Sequence, residues 1–337
     1  MVSRAPRLKD FPLSGPRVER LFRAGVGATW AGQYVHWDDI QDRKPPSGLP
    51  LHEWWLGMKL VRRAASRSGV VLGPDALRRL HELDRFRLPE VPRRIAVDAR
   101  LDEAVSSALL AGAPISRTNA KQLLRAGHKP RGAAEELVHD TWTRLQAPSP
   151  ALHDERRWQH PIVAAILDHM NAEDRRVGRI AFYGALRAAG YEELRLASIS
   201  TVLQAERGIY ERSFELVASD DDDATYFVLH QLDVLHRAAV DLRAAVERSS
   251  QQHERIARVD DAFNERQRAL LDHALAHPGA TYTIATHRSV HGIVYETARS
   301  DLSELEVRRL LRREKIGRAF HYVPEPNLTG RIAGLAH

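Results

Sequence analysis

Apolar residues recur at helical spacing along most of this chain. Within HPIVAAILDHMNAEDRRVGRIAFYGALRAAGY (160–191), Ile162, Val163, Ile166, Leu167 and Met170 share one face, as do Val177, Ile180, Ala181 and Leu186 after a polar gap. The pattern predicts two helices joined by the turn Asn171-Ala172-Glu173-Asp174-Arg175-Arg176. Such a turn sits at a helix N-terminus, where backbone N–H groups and the helix dipole favour an anion. Upstream, a helix is expected from about His52, docked by Trp54 and Trp55, and another over 74–85 with Pro74 in its first turn. Pro89 and Pro92 mark a linker. A long helix is predicted over 226–259, and its polar second half, ERSSQQHERIARV, suits a connector or a homodimer surface. The aspartates at 220–223 before it read as an acidic capping turn. A calcium loop would need alternating ligands and a terminal glutamate, which are absent.

From Phe263 the pattern changes. NERQRALLDHALAHPG reads as a helix and TYTIATHRSVHG as a short element ending at Gly292. The stretch 293–317 reads as a longer helix with a following turn, and RAFHYVP alternates like a strand. That order is the winged-helix order, with helix-turn-helix spacing over 286–305. Were this module to bind DNA, Tyr295, Glu296, Thr297, Arg299 and Ser300 would begin the recognition helix and face bases. Arg312, Arg313, Lys315 and Arg318, with Arg308 and Arg309, would meet phosphates. Glu296 and Asp301 dilute the basic face, and a protein-docking role stands beside the DNA role.

Composition narrows the classes. The chain has 337 residues, 43% of them hydrophobic, enough for two or three domains with proper cores. Heavy use of Ala, Leu, Arg and Glu favours a mainly α fold. A net charge of +6 is compatible with an anionic partner. The absence of cysteine excludes disulfides, thiolate nucleophiles and cysteine zinc sites. No run of about 18 apolar residues exists, and the N-terminal residues lack a signal-peptide apolar core, so a cytoplasmic protein without a membrane partner is expected. No metal site is expected: Asp168, His169 and Glu173 straddle a predicted helix end, and His153, Asp154 and Glu155 form no better set.

A resemblance enters at the N-terminus. YVHWDDIQDRKPPSGLPLHEWWLGMKL (34–60) resembles the opening of a bacterial subgroup of the Fic (Fido-domain) family, which reads much like YxHWDxLxxRxPPxGLxxxEWWxxxKL there. Residues 102–147 are similar to the family's inhibitory helix and first core helix, with an exposed basic turn at Arg125, His128, Lys129 and Arg131. Residues 196–258 are similar to its later helices, and the subgroup carries a C-terminal winged helix reading much like YTIxxHxxxHGVSYxTARxDLxxL. The resemblance implies an N-terminal segment over 1–95, a Fic-like helical core over 96–259 and a winged helix over 262–337.

The departures from the family pattern matter more for function. Ser107 and Gly112 match the inhibitory motif, but Ala111 stands where its glutamate belongs, so the ion pair that blocks ATP is lost. Either an unrestrained enzyme or one with nothing left to restrain fits that change. Between 147 and 160 the chain is too short for the family's two further helices and target-clamping hairpin. The signature HPFxxGNGRxxR supplies a general base, a Mg²⁺ ligand and a glycine nest for phosphates. Here only Arg176, Gly178 and Arg179 align with its end, as an anion-binding remnant. Asp174 and Arg175 stand at the Asn-Gly positions, and His160-Pro161 belongs to the upstream helix. Glu173 and Asp174 place carboxylates where phosphate oxygens would sit. The expectation is a degenerate Fic-like protein without AMP-transferase activity, regulatory or binding in role. ATP and Mg²⁺ are cofactors only if the nucleotide site is retained. The alternative is a Fic-scaffold transferase with a rebuilt site.

Overall fold

The structure, a computed structural model, describes residues 15–30, 34–41, 50–64, 70–147, 160–257, 263–277, 279–316 and 319–334. It is mainly helical: the described residues form fifteen α-helices and one two-stranded antiparallel sheet. The chain divides into two compact units, Met1–Ala244 and Ala245–His337. The expectations for the shortened 148–159 segment with His153, Asp154 and Glu155, and for Arg318, lie outside the described residues.

The first unit begins with α1 (Gly15–Trp30), packed on α2 (Leu51–Ala64). Two glycines make the crossing possible. A Cβ on Gly25 would lie 2.1 Å from the Gly57 carbonyl oxygen, and one on Gly57 would lie 2.3 Å from that of Leu21. Backbone therefore meets backbone at this point, and no side chain fits between. Trp54, Trp55, Leu56 and Met58 fill the cluster beneath with Leu21, Trp37 and Ile40. Glu53 closes the edge against Arg17 and Arg20.

α3 (Pro74–Asp84) starts on Pro74 as expected, and α4 (Arg93–Leu110) starts just after Pro92. α5 (Arg117–Ala126) is capped by Ser116 and stopped by left-handed Gly127, and α6 (Ala133–Gln146) follows it. α7 (Pro161–Asn171) and α8 (Arg175–Ala188) form the predicted helical pair, with a turn shorter than expected, Ala172 to Asp174. α9 (Ile199–Ala205), α10 (Arg207–Ser219) and α11 (Thr225–Ala257) complete the unit and lead out of it. α4 packs against α5, α6, α8 and α9 and is the central strut.

The second unit holds α12 (Glu265–Ala276), α13 (Ile284–His291), α14 (Tyr295–Val307), the strands β1 (Leu311–Ile316) and β2 (Ala319–Pro324), and α15 (Leu328–Gly334). Tyr282, just before α13, bridges to Tyr322 of β2. The predicted helix over 293–317 is too long. It ends at Val307, Arg309 turns the chain at φ 56°, and 311–316 is strand. The physical reason is tertiary: 311–316 pairs antiparallel with 319–324, and Leu311 and Tyr322 join the core cluster with Leu302, Leu305 and Ile332.

Replacing Gly57 with alanine forces α1 and α2 apart. We expect a loss of about 1–3 kcal/mol, read as a lowered urea midpoint, whereas Gly27→Ala, with open space around it, leaves the midpoint nearly unchanged.

Candidate functional site

The α7–α8 corner is where the resemblance implies a degenerate phosphate site. Asp174 caps α8, its carboxylate accepting from the Val177 amide at 2.9 Å. A carboxylate thus already occupies the helix N-terminus that an anion would need. Gly178 lies within α8, where a Cβ would sit 2.4 Å from the His169 carbonyl oxygen. Its smallness lets α7 and α8 touch and does not create a turn.

The two arginines are engaged. Arg176 donates to Asp140 of α6 at 2.5 Å and to Thr141 at 3.4 Å. Arg179 is 1% exposed. Its Nε donates to Ser107 Oγ at 2.9 Å, one terminal nitrogen to the Ser107 carbonyl at 2.9 Å and the other to the Tyr210 hydroxyl at 3.2 Å. Ser107, which the resemblance sets against the inhibitory motif, is a buried anchor for Arg179. Ala111 is the exposed C-cap of α4, and Gly112, at φ 89°, turns the chain away.

Two further buried groups complete this core. His169 Nε2 lies 2.9 Å from the Tyr210 hydroxyl. Burial, with Arg179, His230 and Arg175 adding to it, holds its pKa well below the usual histidine value. His169 is neutral and sealed from solvent. Glu103 accepts from Tyr183 at 2.8 Å and from the amide and hydroxyl of Ser200 at 2.9 and 2.5 Å. Burial raises its pKa despite those bonds. Neither group opens onto a surface where a substrate could reach it. His160 caps α7 and bonds Asp84 at 3.0 Å. Among the described residues no group of three or more metal-ligating side chains converges.

A second cluster escaped the sequence reading. Lys59 of α2 is buried, with its Nζ bonded to Asp220, to Asp223 at 2.8 Å and to the Tyr226 hydroxyl at 3.0 Å. The rings of Trp55, Tyr34 and Tyr226 surround it at 4.3, 5.1 and 5.1 Å. Tyr34 donates to Asp223 and Tyr226 to Asp220. Burial pushes the Asp223 carboxyl up, but Lys59, Tyr34 and Arg62 outweigh it and hold the pKa below its ordinary value. The acidic run does cap α11, since Asp223 accepts from the Thr225 amide, but its larger role is to neutralise Lys59. The signal was present: a lysine one turn after paired tryptophans is an odd choice for a buried face.

In the second unit, Tyr295, Glu296, Arg299 and Ser300 are exposed at the start of α14, and Thr297 is half-buried. Arg312, Arg313 and Lys315 are exposed on β1. Arg312 pairs with Glu314 at 2.8 Å, and Arg313 lies 3.5 Å from Glu306 and over the Phe320 ring. The expectation that Asp301 dilutes the basic face is corrected. It is 3% exposed and points inward, accepting from Arg266 at 2.8 and 3.1 Å and from Asn264 at 2.8 Å, with His287 Nε2 at 3.1 Å. One carboxylate thus ties α12 and α13 to α14.

The chain matches no protein-family model and no curated protein. Among solved structures it is similar to a Fic family protein from Desulfovibrio desulfuricans G20, at 15% identity and a TM-score of 0.47, over 75% of this chain and 95% of that one. No helix among the described residues is long and apolar enough to cross a membrane.

Lys59→Met removes the cation from Asp220 and leaves Asp223 with Arg62 alone, and is expected to cost about 3–5 kcal/mol in a denaturant titration. His169 gives a pH signature. The folded state holds it neutral while the unfolded chain takes up a proton below about pH 6.5, so its contribution is fully present above that value and falls below it. We expect the stability lost between pH 7.5 and 5.5 to be about 1 kcal/mol smaller in His169→Gln than in the parent protein.

Proposed function

We propose that the chain is a degenerate Fic-like protein that transfers no nucleotide and acts as a regulatory factor whose C-terminal winged helix binds duplex DNA. In this reading 1–95 and 96–259 form the scaffold and 262–337 the binding module. The observation that carries the first half is the burial of Arg179, whose guanidinium is spent on Ser107 and Tyr210. ATP with Mg²⁺ does not fit the residues present. Asp174 fills the helix N-terminus, Arg176 is ion-paired and the signature's general base has no counterpart at the corner. The Fic-scaffold transferase is therefore the weaker reading. It would need an outward-facing phosphate donor set, and the aligned arginines supply none.

The DNA half is supported by the order of elements in the second unit, by the exposed polar start of α14 and by the exposed cations of β1. One observation favours a protein partner for the same module. Val290, Val294 and Tyr295 are 76, 68 and 50% exposed around the α13–α14 corner, an apolar patch of the kind that marks docking sites.

Incubated with labelled ATP and a cell lysate, the protein is expected to transfer no label and to show no nucleotide-dependent rise in melting temperature. Labelling that disappears in Arg176→Ala or Arg179→Ala would sink the non-transferring reading. In a gel shift, duplex DNA is expected to bind with an affinity that falls steeply with salt, and Lys315→Ala to lower the salt slope by roughly one. No binding at low ionic strength would favour the protein partner.

A further inference from the structure

The start of α14 carries two side chains that the packing of its own unit does not use. The helix buries Ala298, Asp301, Leu302 and Leu305, so at 100° per residue positions 296, 299, 300 and 303 turn away from the core. Glu296 and Arg299 stand one turn apart, 3.9 Å between Oε2 and Nη1, with side chains 77 and 60% exposed. An exposed pair at that separation contributes almost nothing to stability. Both heads can leave each other at negligible cost.

Their chemistry is complementary in a useful way. A carboxylate only accepts hydrogen bonds and a guanidinium only donates them. In the major groove a carboxylate matches the cytosine N4 amino group, and a guanidinium fork matches guanine O6 and N7. Three residues of helix rise about 4.5 Å, close to the roughly 3.4 Å step between bases. The two heads therefore suit neighbouring bases. A carboxylate facing guanine or thymine would meet acceptor lone pairs instead, so Glu296 also rejects. The helix that presents them is rigidly held, because Asp301 beneath it is bonded to Arg266, Asn264 and His287.

Resting on the DNA reading above, we propose that α14 selects duplexes in which a cytosine stands beside a guanine, Glu296 accepting from cytosine N4 and Arg299 donating to guanine O6 and N7. Lys315 and Arg312 on β1 add affinity without sequence preference.

The test is selection of the full chain against a random duplex pool at low salt, followed by anisotropy titrations on the enriched sequence and on scrambled duplex. The enriched pool is expected to contain an adjacent C and G. Arg299→Ala is expected to lose roughly tenfold of the preference at the guanine position, and Glu296→Gln to relax the cytosine position towards adenine. Lys315→Ala should lower affinity equally for both duplexes. A pool retained with no base preference, or a preference that neither change alters, overturns this inference and leaves the DNA reading standing. A pool not retained at all overturns both, and then the exposed Val290 and Val294 corner becomes the face to probe with protein.

Discussion

The first unit depends on a buried ammonium. Lys59 sits among three aromatic rings and two carboxylates, and these neighbours come from three parts of the chain: Trp55 from its own helix, Tyr34 from the segment before it, and Asp220, Asp223 and Tyr226 from the start of α11. A lone buried charge is too costly to persist, so the segments must assemble together or not at all. The same demand explains a strained turn. Asp221 and Asp222 adopt φ values of 50° and 55°, a conformation that non-glycine residues seldom hold without support. The aspartates on either side are pinned by Lys59, and Arg62 donates to the Asp221 carbonyl.

Arg179 repeats the device deeper in the helical bundle, with a serine, a carbonyl and a tyrosine in place of carboxylates. Its position on α8 is where the resemblance puts a phosphate contact, yet the side chain holds α4 to α8 and α10. Together with neutral His169 and the buried Glu103 it makes a polar core that is well satisfied and closed. Such networks specify one arrangement of helices. They offer no reactive group to a substrate, because each candidate acid, base or cation is already bonded and sealed.

Periodicity carried the helices of this protein well: the α7–α8 pair, the Pro74 start of α3 and the long α11 were all legible. α1 was not, because its apolar positions are interrupted by Gly25 and Gly27 and its reason for existing, the Gly25–Gly57 crossing, lies 32 residues away in sequence. β1 was not, because LRREKI offers two apolar residues among four charged ones, and only pairing with β2 shows which face is inward. Among site residues, the place of Arg179 in the α8 helix was readable, but its burial was not, since that depends on Ser107, 72 residues earlier. Asp301 misled for the same reason. A charge on a predicted helix looks solvated until the partners that enclose it are known.

The bridge between Tyr282 and Tyr322 sets the order of the small sheet. With Tyr282 on one side and β1 on the other, β2 is interior and β1 is left as the outer strand. An outer strand exposes unpaired amides and carbonyls that can recruit a second chain. Here that strand carries Arg312, Arg313, Glu314 and Lys315, a run of charged side chains that opposes strand-on-strand addition. The hairpin is thereby guarded against fibril-like association, whatever molecule it meets.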